Sequence, residues 1–262
     1  MEQAESPVLL TIEQAVATVT LNRPRVLNAI DPHMARSLAD AIERIAHDGT
    51  ARVLLLRGEG RAFCAGGDVA RFAGEDPVAA VEAIIDPFHS ALRALDALKL
   101  PTLAAVQGPV AGAGFSLATA YDLCIAADDA VFTMAYSRIG ASPDGSATYR
   151  LPRLVGERKA LELAFLAESV DAAQALALGL VNRVVPAASL QSEAMSLARR
   201  LAQGPTAAYA RIKHLVGRSL VNDLSAQLDL EREAFLAGTR TADFREGAQA
   251  FLAKRPPQFE GR

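Results

Sequence analysis

The first elements are predicted by the alternation of hydrophobic with polar or small residues. Val8–Ile12 and Val16–Leu21 alternate with the period of about two residues typical of half-buried strands, and residues 22–25 end the pattern. Apolar positions then recur at helical spacing behind Asp31-Pro32, where a side-chain acceptor precedes a proline suited to a first turn. We therefore predict a strand pair followed by a helix that runs to about His47.

The middle of the chain repeats a strand, a loop of small residues and a helix. The predicted elements are strands at 52–57, 101–106 and 122–126, helices at 76–99 and 115–120, and glycine-rich loops at 58–68 and 107–114. Strands that alternate with helices predict α/β layering.

The last third of the chain becomes helical. After about Gly156 we predict a short helix capped by Asp171, a last strand at Leu180–Val185, and helices that begin at Pro205 and Asp223. The sequence thus predicts an α/β core over residues 1–200 and a helical region over 201–262. Because such an appendage cannot bury its apolar faces alone, we expect it to pack on other subunits.

Composition and charge narrow the classes of protein. Of 262 residues, 51% are hydrophobic and 22% charged, which is typical of a globular chain with a sizeable core. With 27 basic and 30 acidic residues, the chain has no basic excess to neutralise a phosphate backbone, so nucleic acid is not expected as a partner. Two cysteines, an acidic N-terminus and the lack of an apolar run of about 18 residues predict a cytoplasmic protein without a membrane segment.

The two glycine-rich loops are the first candidates for chemistry. Glycines permit close backbone approach in the loop 58–68, which suits a tight turn or a ligand site equally well. The loop 107–114 opens a helix, whose first N–H groups favour negative charge. Two such loops after adjacent strands could aim two N–H groups at one oxygen and form an oxyanion hole.

Other polar residues each have a structural and a functional interpretation. The pattern favours Asp144 as a cap of a helix that begins near Gly145, although its carboxylate could also move protons. Ser116 lies in an incomplete nucleophile motif and is interpreted as a small helix residue. His89 is expected in a core or a pocket wall, and the four histidines have no metal-ligand spacing, so no metal site is predicted.

The ordered motifs Leu21–Pro24, Phe63–Asp68 and Gln107–Gly114 resemble the enoyl-CoA hydratase/isomerase (crotonase) superfamily over nearly the whole chain. The resemblance implies a crotonase (ClpP-like) α/β fold, with a spiral of ββα units and a C-terminal helical trimerisation region. It also implies a homotrimer or homohexamer, an acyl-CoA thioester as substrate, and no separate cofactor, because coenzyme A is part of that substrate.

The resemblance also assigns roles to residues. Ala65 and Ala113 would supply the two N–H groups of the oxyanion hole. The residues predicted to contact the substrate or its coenzyme A are Arg25, Val26, Leu27, Ala65, Gly66, Gly67, Asp68, His89, Gly112 and Tyr136.

Departures from the family pattern bear on the reaction. Hydratases carry two catalytic glutamates, and the matching positions here look like Ser116 and Tyr136, which argues against straightforward hydration. Asp144 matches an acidic position of family isomerases. The segments 134–140, 143–144, 242–247 and 251–255 look like those of the ring-1,2-epoxyphenylacetyl-CoA isomerases of phenylacetate breakdown. Ser142 and Ser146-Ala147 depart from that subgroup, which implies a different pocket.

We therefore predict an isomerase that shifts a double bond or opens an epoxide through a thioester enolate, with Asp144 as acid and base. Three alternatives stay open. One is a hydratase-type lyase with non-standard residues. Another is an aryl-CoA dehalogenase, since Asp144 and His89 match the aspartate nucleophile and histidine of that subgroup. The third is a pseudoenzyme that binds acyl-CoA without catalysis.

Overall fold

The computed structural model describes residues 6–262, so most of the acidic N-terminal segment lies outside it. The strands are β1 (Val8–Glu13), β2 (Val16–Leu21), β3 (Val53–Gly58), β4 (Thr102–Val106), β5 (Pro109–Ala111), β6 (Leu123–Ala127), β7 (Val131–Thr133), β8 (Val170–Asp171) and β9 (Arg183–Val185). The helices are α1 (Pro32–Asp48), α2 (Pro77–Ala97), α3 (Ala113–Thr119), α4 (Ala147–Val155), α5 (Glu157–Leu166), α6 (Ala172–Ala177), α7 (Leu190–Ala202), α8 (Thr206–Ser219), α9 (Leu224–Gly238) and α10 (Ala242–Leu252).

Six strands form the main sheet in the order β1-β2-β3-β4-β6-β9. β1 and β2 pair antiparallel, and every later neighbour is parallel. A smaller sheet has the order β5-β7-β8. Because β3 and β4 are parallel neighbours, the chain leaves both at the same edge of the sheet, and this places the two glycine-rich loops side by side.

Both faces of the main sheet are buried. On β3, Leu54 and Leu56 face a large apolar cluster that includes α1 and α2, whereas Val53 and Leu55 face a smaller cluster completed by α7. Successive side chains of a strand point to opposite faces, so a strand covered on both sides is a continuous apolar run. The buried stripe of α2 runs from Ile84 through Phe88 to Leu95, and the half-buried His89 lies beside it.

Most predicted elements are confirmed, with small changes in their bounds. Asp31 caps α1 by accepting a hydrogen bond from the N–H of Met34 at 2.8 Å, and Asp171 caps α6 in a capping box. The last strand begins at Arg183 rather than Leu180. The second glycine-rich loop contains β5, which the sequence did not predict because three residues are too few to show a period.

The last helices contrast with the core. Neither α8 nor α9 has a buried residue. Large apolar side chains of α9 are exposed, with Leu224 at 75% and Phe235 at 67%. A hollow of about 610 Å³ lies between α8, α9 and α10 and shares no lining residue with the glycine-rich loops. The division of the chain near residue 200 and the assembly into trimers or hexamers stay predictions. Among residues 6–262, no helix is long and apolar enough to cross a membrane.

Candidate active site

The two glycine-rich loops are joined by backbone hydrogen bonds. The N–H of Phe63 donates to the carbonyl of Gln107 at 2.8 Å, and the N–H of Ala111 donates to the carbonyl of Cys64 at 2.9 Å. A Cβ at Gly114 would lie 2.2 Å from the carbonyl oxygen of Cys64, so this contact requires glycine. The start of α3 is therefore packed directly against the first loop.

The buried side chain of Asn28 fixes the entrance to the first loop. Its amide nitrogen donates to the carbonyls of Glu59 at 3.0 Å and Ala62 at 2.9 Å, and its oxygen accepts from the N–H of Arg23 at 2.8 Å. Asn28 has a φ of 55°, in the left-handed region that asparagine tolerates better than most residues. The Asn28 side chain thus forms hydrogen bonds with three backbone groups, and its backbone forms part of a turn.

Replacing Asn28 by alanine should lower the free energy of unfolding by about 3 kcal/mol, because buried backbone groups lose their partners. Urea unfolding measures the change. Asn28→Gly is the matched control, since glycine accepts the backbone conformation but makes no side-chain hydrogen bond. If Asn28→Gly were as stable as the wild type, the hydrogen bonds would contribute little.

The hydrogen bonds of the first loop decide which amide is free. The carbonyl of Gly66 accepts from the N–H of Ile30 at 2.7 Å, and the N–H of Asp68 donates to the carbonyl of Ile30 at 2.9 Å. Because the peptide group is planar and trans, the N–H of Gly67 points opposite to the Gly66 carbonyl and away from Ile30. The Gly67 N–H donates no hydrogen bond within the described residues.

The N–H of Ala65 is not available to a ligand. It donates to the carbonyl of Leu27 at 2.9 Å, and the carbonyl of Cys64, in the same peptide group, accepts from Ala111. Both ends of this peptide are used within the fold. The prediction that Ala65 supplies the first oxyanion donor is therefore wrong for this structure.

The second predicted donor, Ala113, is the first residue of α3. The carbonyl of the preceding Gly112 accepts from the N–H of Ser116 at 3.0 Å, and the Ala113 N–H has no acceptor within the described residues. A Cβ built on Gly66 would lie 3.6 Å from the Ala113 nitrogen, so the free amide adjoins the first loop.

Asp144 lies beside the start of α3 and does not cap α4. Helix α4 begins at Ala147, two residues after Gly145, and has no side-chain cap, so the interpretation of Asp144 as a helix cap is wrong. Oδ1 of Asp144 instead accepts a hydrogen bond from the phenol of Tyr136, and Oδ2 lies 3.8 Å from Nε2 of His89.

Ser116 connects Asp144 to α3. Its Oγ lies 2.9 Å from the carbonyl oxygen of Asp144, 3.0 Å from the Tyr136 hydroxyl and 3.3 Å from the carbonyl oxygen of Gly112. The buried hydroxyl of Ser116 thus contacts a phenol and two carbonyls, in keeping with its interpretation as a small helix residue.

The environment keeps the phenol and the nearby thiol neutral. Burial, followed by the negative charge of Asp144, raises the pKa of Tyr136 above its ordinary value, so Tyr136 is a hydrogen-bond donor at neutral pH. Burial also raises the pKa of Cys64 to about 12, which disfavours the thiolate that a cysteine nucleophile needs. The remaining acidic group of this network is the carboxylate of Asp144.

Comparison with known proteins places this chain in a family. A model of the enoyl-CoA hydratase/isomerase family matches residues 11–262. The chain belongs to this family. The enzymes of the enoyl-CoA hydratase/isomerase family act on acyl-CoA thioesters, so the chain is an enzyme of this type.

Relatives and solved structures agree with this assignment. The chain is 42% identical to a probable enoyl-CoA hydratase of Rhodobacter capsulatus, with 96% of each chain covered. It is 41% identical to the 1,2-epoxyphenylacetyl-CoA isomerase of Escherichia coli, with 97% of this chain and 98% of the relative covered. The chain also matches the crystal structure of a putative enoyl-CoA hydratase/isomerase from Mycobacterium abscessus with a TM-score of 0.94 and 35% sequence identity. The match covers 97% of this chain and 100% of that chain. The predicted crotonase fold is confirmed.

In this hydratase/isomerase family member, the residues predicted to contact coenzyme A lie near the first loop. Arg25 and Val26 are exposed on a 3₁₀ turn, Pro24–Val26, and Leu27 follows with a positive φ of 53°. Gly66 is buried, whereas Gly67 and Asp68 are half-buried. Their contacts with coenzyme A stay predictions.

Two arginines near this loop were missed in the sequence. The carboxylate of Asp68 lies 3.8 Å from Nη2 of Arg23 and 3.6 Å from Nε of Arg71, and Arg23 also pairs with the capping Asp31 at 3.2 Å. The sequence carried only a weak signal, because Arg23 and Asp68 are far apart in the chain. Among residues 6–262, no group of three or more metal-binding side chains is arranged around a common point.

Proposed function

We propose that this protein is an acyl-CoA isomerase that shifts a double bond or opens an epoxide ring through a thioester enolate. The observation that carries the proposal is the position of Asp144 beside the first turn of α3, where Tyr136 donates to its carboxylate and Ser116 donates to its backbone carbonyl. The family resemblance implies that hydratases carry their two catalytic glutamates at the positions of Tyr136 and Ser116. A phenol with a raised pKa and a hydroxyl group cannot replace a carboxylate base at neutral pH.

The proposed oxyanion hole uses the amides of Gly67 and Ala113. Both lack an acceptor within the described residues, and the loops that carry them are packed together at Gly66. Preorganised N–H groups stabilise the negative charge that develops on the thioester oxygen when a proton leaves the acyl chain. This arrangement replaces the predicted pair of Ala65 and Ala113.

The proposed proton transfers need one carboxylate. Asp144 takes a proton from the acyl chain, and the electron pair moves onto the thioester oxygen as an enolate. Asp144 then returns the proton two carbons away, so that no water is consumed. The relatives carry hydratase and isomerase names alike, so the preference for isomerisation depends on these side chains.

A panel of coenzyme A esters tests the proposal. We expect 3-enoyl-CoA to be converted to 2-enoyl-CoA, measured by ultraviolet absorbance, and 2-enoyl-CoA to gain no water. A ring-1,2-epoxyphenylacetyl-CoA tests the epoxide version. Hydration of 2-enoyl-CoA without isomerisation of any member would contradict the proposal and favour the lyase alternative.

One observation favours a second candidate, an aspartate-nucleophile reaction on an aryl-CoA. Nε2 of His89 lies 3.8 Å from Oδ2 of Asp144, close enough for the histidine to activate water at an aspartyl ester. Multiple turnovers of a chloroaryl-CoA in ¹⁸O-labelled water would then place the label in Asp144. We expect no label, and its appearance would establish the dehalogenase alternative.

The pseudoenzyme alternative is tested in deuterated water. Exchange of acyl protons of a bound thioester, followed by mass spectrometry, is expected from the enolate mechanism. A chain that binds the thioester without exchange would be a binding protein.

We also propose that the exposed apolar faces of α8 and α9 are covered in a homotrimer or homohexamer. Helices without a buried residue support this proposal, because an isolated chain would leave those faces in water. Light scattering after size-exclusion chromatography gives the assembled mass, and a monomer at micromolar concentration would contradict the proposal.

A further inference from the structure

We propose that Tyr136 and His89 are positioning residues for Asp144, which hold its carboxylate and its peptide so that Oδ2 is the oxygen that takes and returns the proton. The inference rests on the proposed isomerase function and assigns roles within that site.

Tyr136 occupies one oxygen of the carboxylate. Its hydroxyl donates to Oδ1 of Asp144 and lies 3.0 Å from Oγ of Ser116. A carboxylate held at one oxygen by a hydrogen bond presents the other in a fixed direction. Oδ2, which receives no hydrogen bond from the described residues, is therefore the oxygen left for the substrate.

The backbone of Asp144 is held at the other end. Its carbonyl oxygen lies 2.9 Å from Oγ of Ser116, and the N–H of Gly145, in the same peptide group, donates to Nε2 of His89 at 3.3 Å. Because this peptide is planar, two hydrogen bonds on opposite sides fix its orientation. Three elements, α2, α3 and the 3₁₀ turn Ala135–Ile139, thus hold a residue that lies on a loop.

Packing prevents the loop from moving away. Gly145 has a φ of 61°, and a Cβ there would lie 2.6 Å from Cε1 of Phe88 and 3.0 Å from the Cβ of Ser116. The backbone therefore lies directly on Phe88, the neighbour of His89 in the chain, and on Ser116.

The hydrogen bond from Gly145 also fixes the tautomer of the neutral His89 ring. Nε2 can accept only when it carries no proton, so the ring proton of neutral His89 is on Nδ1. In this tautomer His89 has no Nε2 proton to donate to Oδ2 of Asp144, despite the separation of 3.8 Å. His89 thus acts through the peptide of Asp144, and the titratable groups that face the carboxylate are His89 and Tyr136.

Two pairs of variants test the inference by steady-state kinetics on 3-enoyl-CoA. Tyr136→Phe removes one oxygen and should lower kcat about tenfold or more with an unchanged KM, because a hydrogen bond to a charged group is lost. Tyr149→Phe, on the exposed side of α4, removes a hydroxyl that makes no hydrogen bond within the described residues and should leave kcat unchanged. His89→Ala should lower kcat, and His89→Gln should restore most of it, because its amide oxygen can accept from Gly145.

Other outcomes overturn the inference. Tyr136→Phe with the wild-type kcat would remove the role of the phenol. His89→Gln as slow as His89→Ala would mean that His89 itself transfers protons. If Asp144→Asn lost all activity and Tyr136→Phe had no effect, the isomerase proposal would stand and only the positioning role would be excluded. An active Asp144→Asn variant would contradict the isomerase proposal itself.

A measurement on the wild-type protein does not depend on activity. The ¹⁵N chemical shifts of the neutral His89 ring, assigned by comparison with His89→Gln, should report a proton on Nδ1 and none on Nε2. A proton on Nε2 would overturn the assigned role, whichever reaction the enzyme catalyses.

Discussion

Asp144→Asn should reduce isomerisation of a coenzyme A thioester by about a thousandfold or more while thioester binding is retained. A positioned acid or base contributes about 10²–10⁴ in rate, and here one group serves both transfers. The amide oxygen of asparagine can still accept from Tyr136, and the hydrogen bonds of the backbone peptide between residues 144 and 145 are unchanged. The variant therefore removes the base and keeps the hydrogen bonds around it.

Calorimetry with an unreactive thioester measures binding, and coupled ultraviolet assays measure turnover. Asp40→Asn, an exposed change on α1, is the matched control and should have wild-type turnover. Retained isomerisation in Asp144→Asn would remove Asp144 from the mechanism. Loss of binding together with turnover would instead indicate a damaged loop.

The second large effect is expected from Ala113→Pro. Proline suits the first position of a helix and lacks only the N–H, so the substitution deletes one proposed oxyanion donor and leaves the helix free to begin. Removal of one such donor costs about 2.7–4 kcal/mol of transition-state stabilisation, or about 10²–10³ in kcat. Turnover and acyl proton exchange should fall together, because both require the enolate.

Ala242→Pro is the control for this prediction. Ala242 is the first residue of α10, follows the capping Thr241 and is exposed, so proline there should change neither kcat nor stability greatly. Circular dichroism and thermal unfolding show whether Ala113→Pro folds. A folded Ala113→Pro enzyme with the wild-type exchange rate would exclude the Ala113 amide as a donor.

The two predictions probe parts of the site that differ in how well the sequence specified them. Ala113 was named through the family resemblance, and its free amide agrees with the general rule that the first N–H groups of a helix have no acceptor within the helix. Asp144 could be named as a candidate, but the sequence favoured a helix cap. Its actual partners, Tyr136 and His89, come from separate elements and follow from no local pattern.

The first loop shows the same limit. Its glycines and its place after a buried strand were evident, and the family resemblance was correct. Whether Ala65 or Gly67 has the free N–H depends on the carbonyls of Leu27 and Ile30, more than thirty positions earlier in the chain. A shift of two residues along the loop exchanges an amide used by the fold for one that is free.

The sequence alone therefore determined the elements, the α/β class and the family, because periodicity, caps and ordered motifs are local properties of the chain. Alternation specified β1 and β2, and Asp31 specified the start of α1. Only the tertiary structure decided which amide of the first loop is free and which oxygen of Asp144 is unoccupied. Both depend on hydrogen bonds between segments that are distant in the chain and meet only after the sheet and its helices have packed.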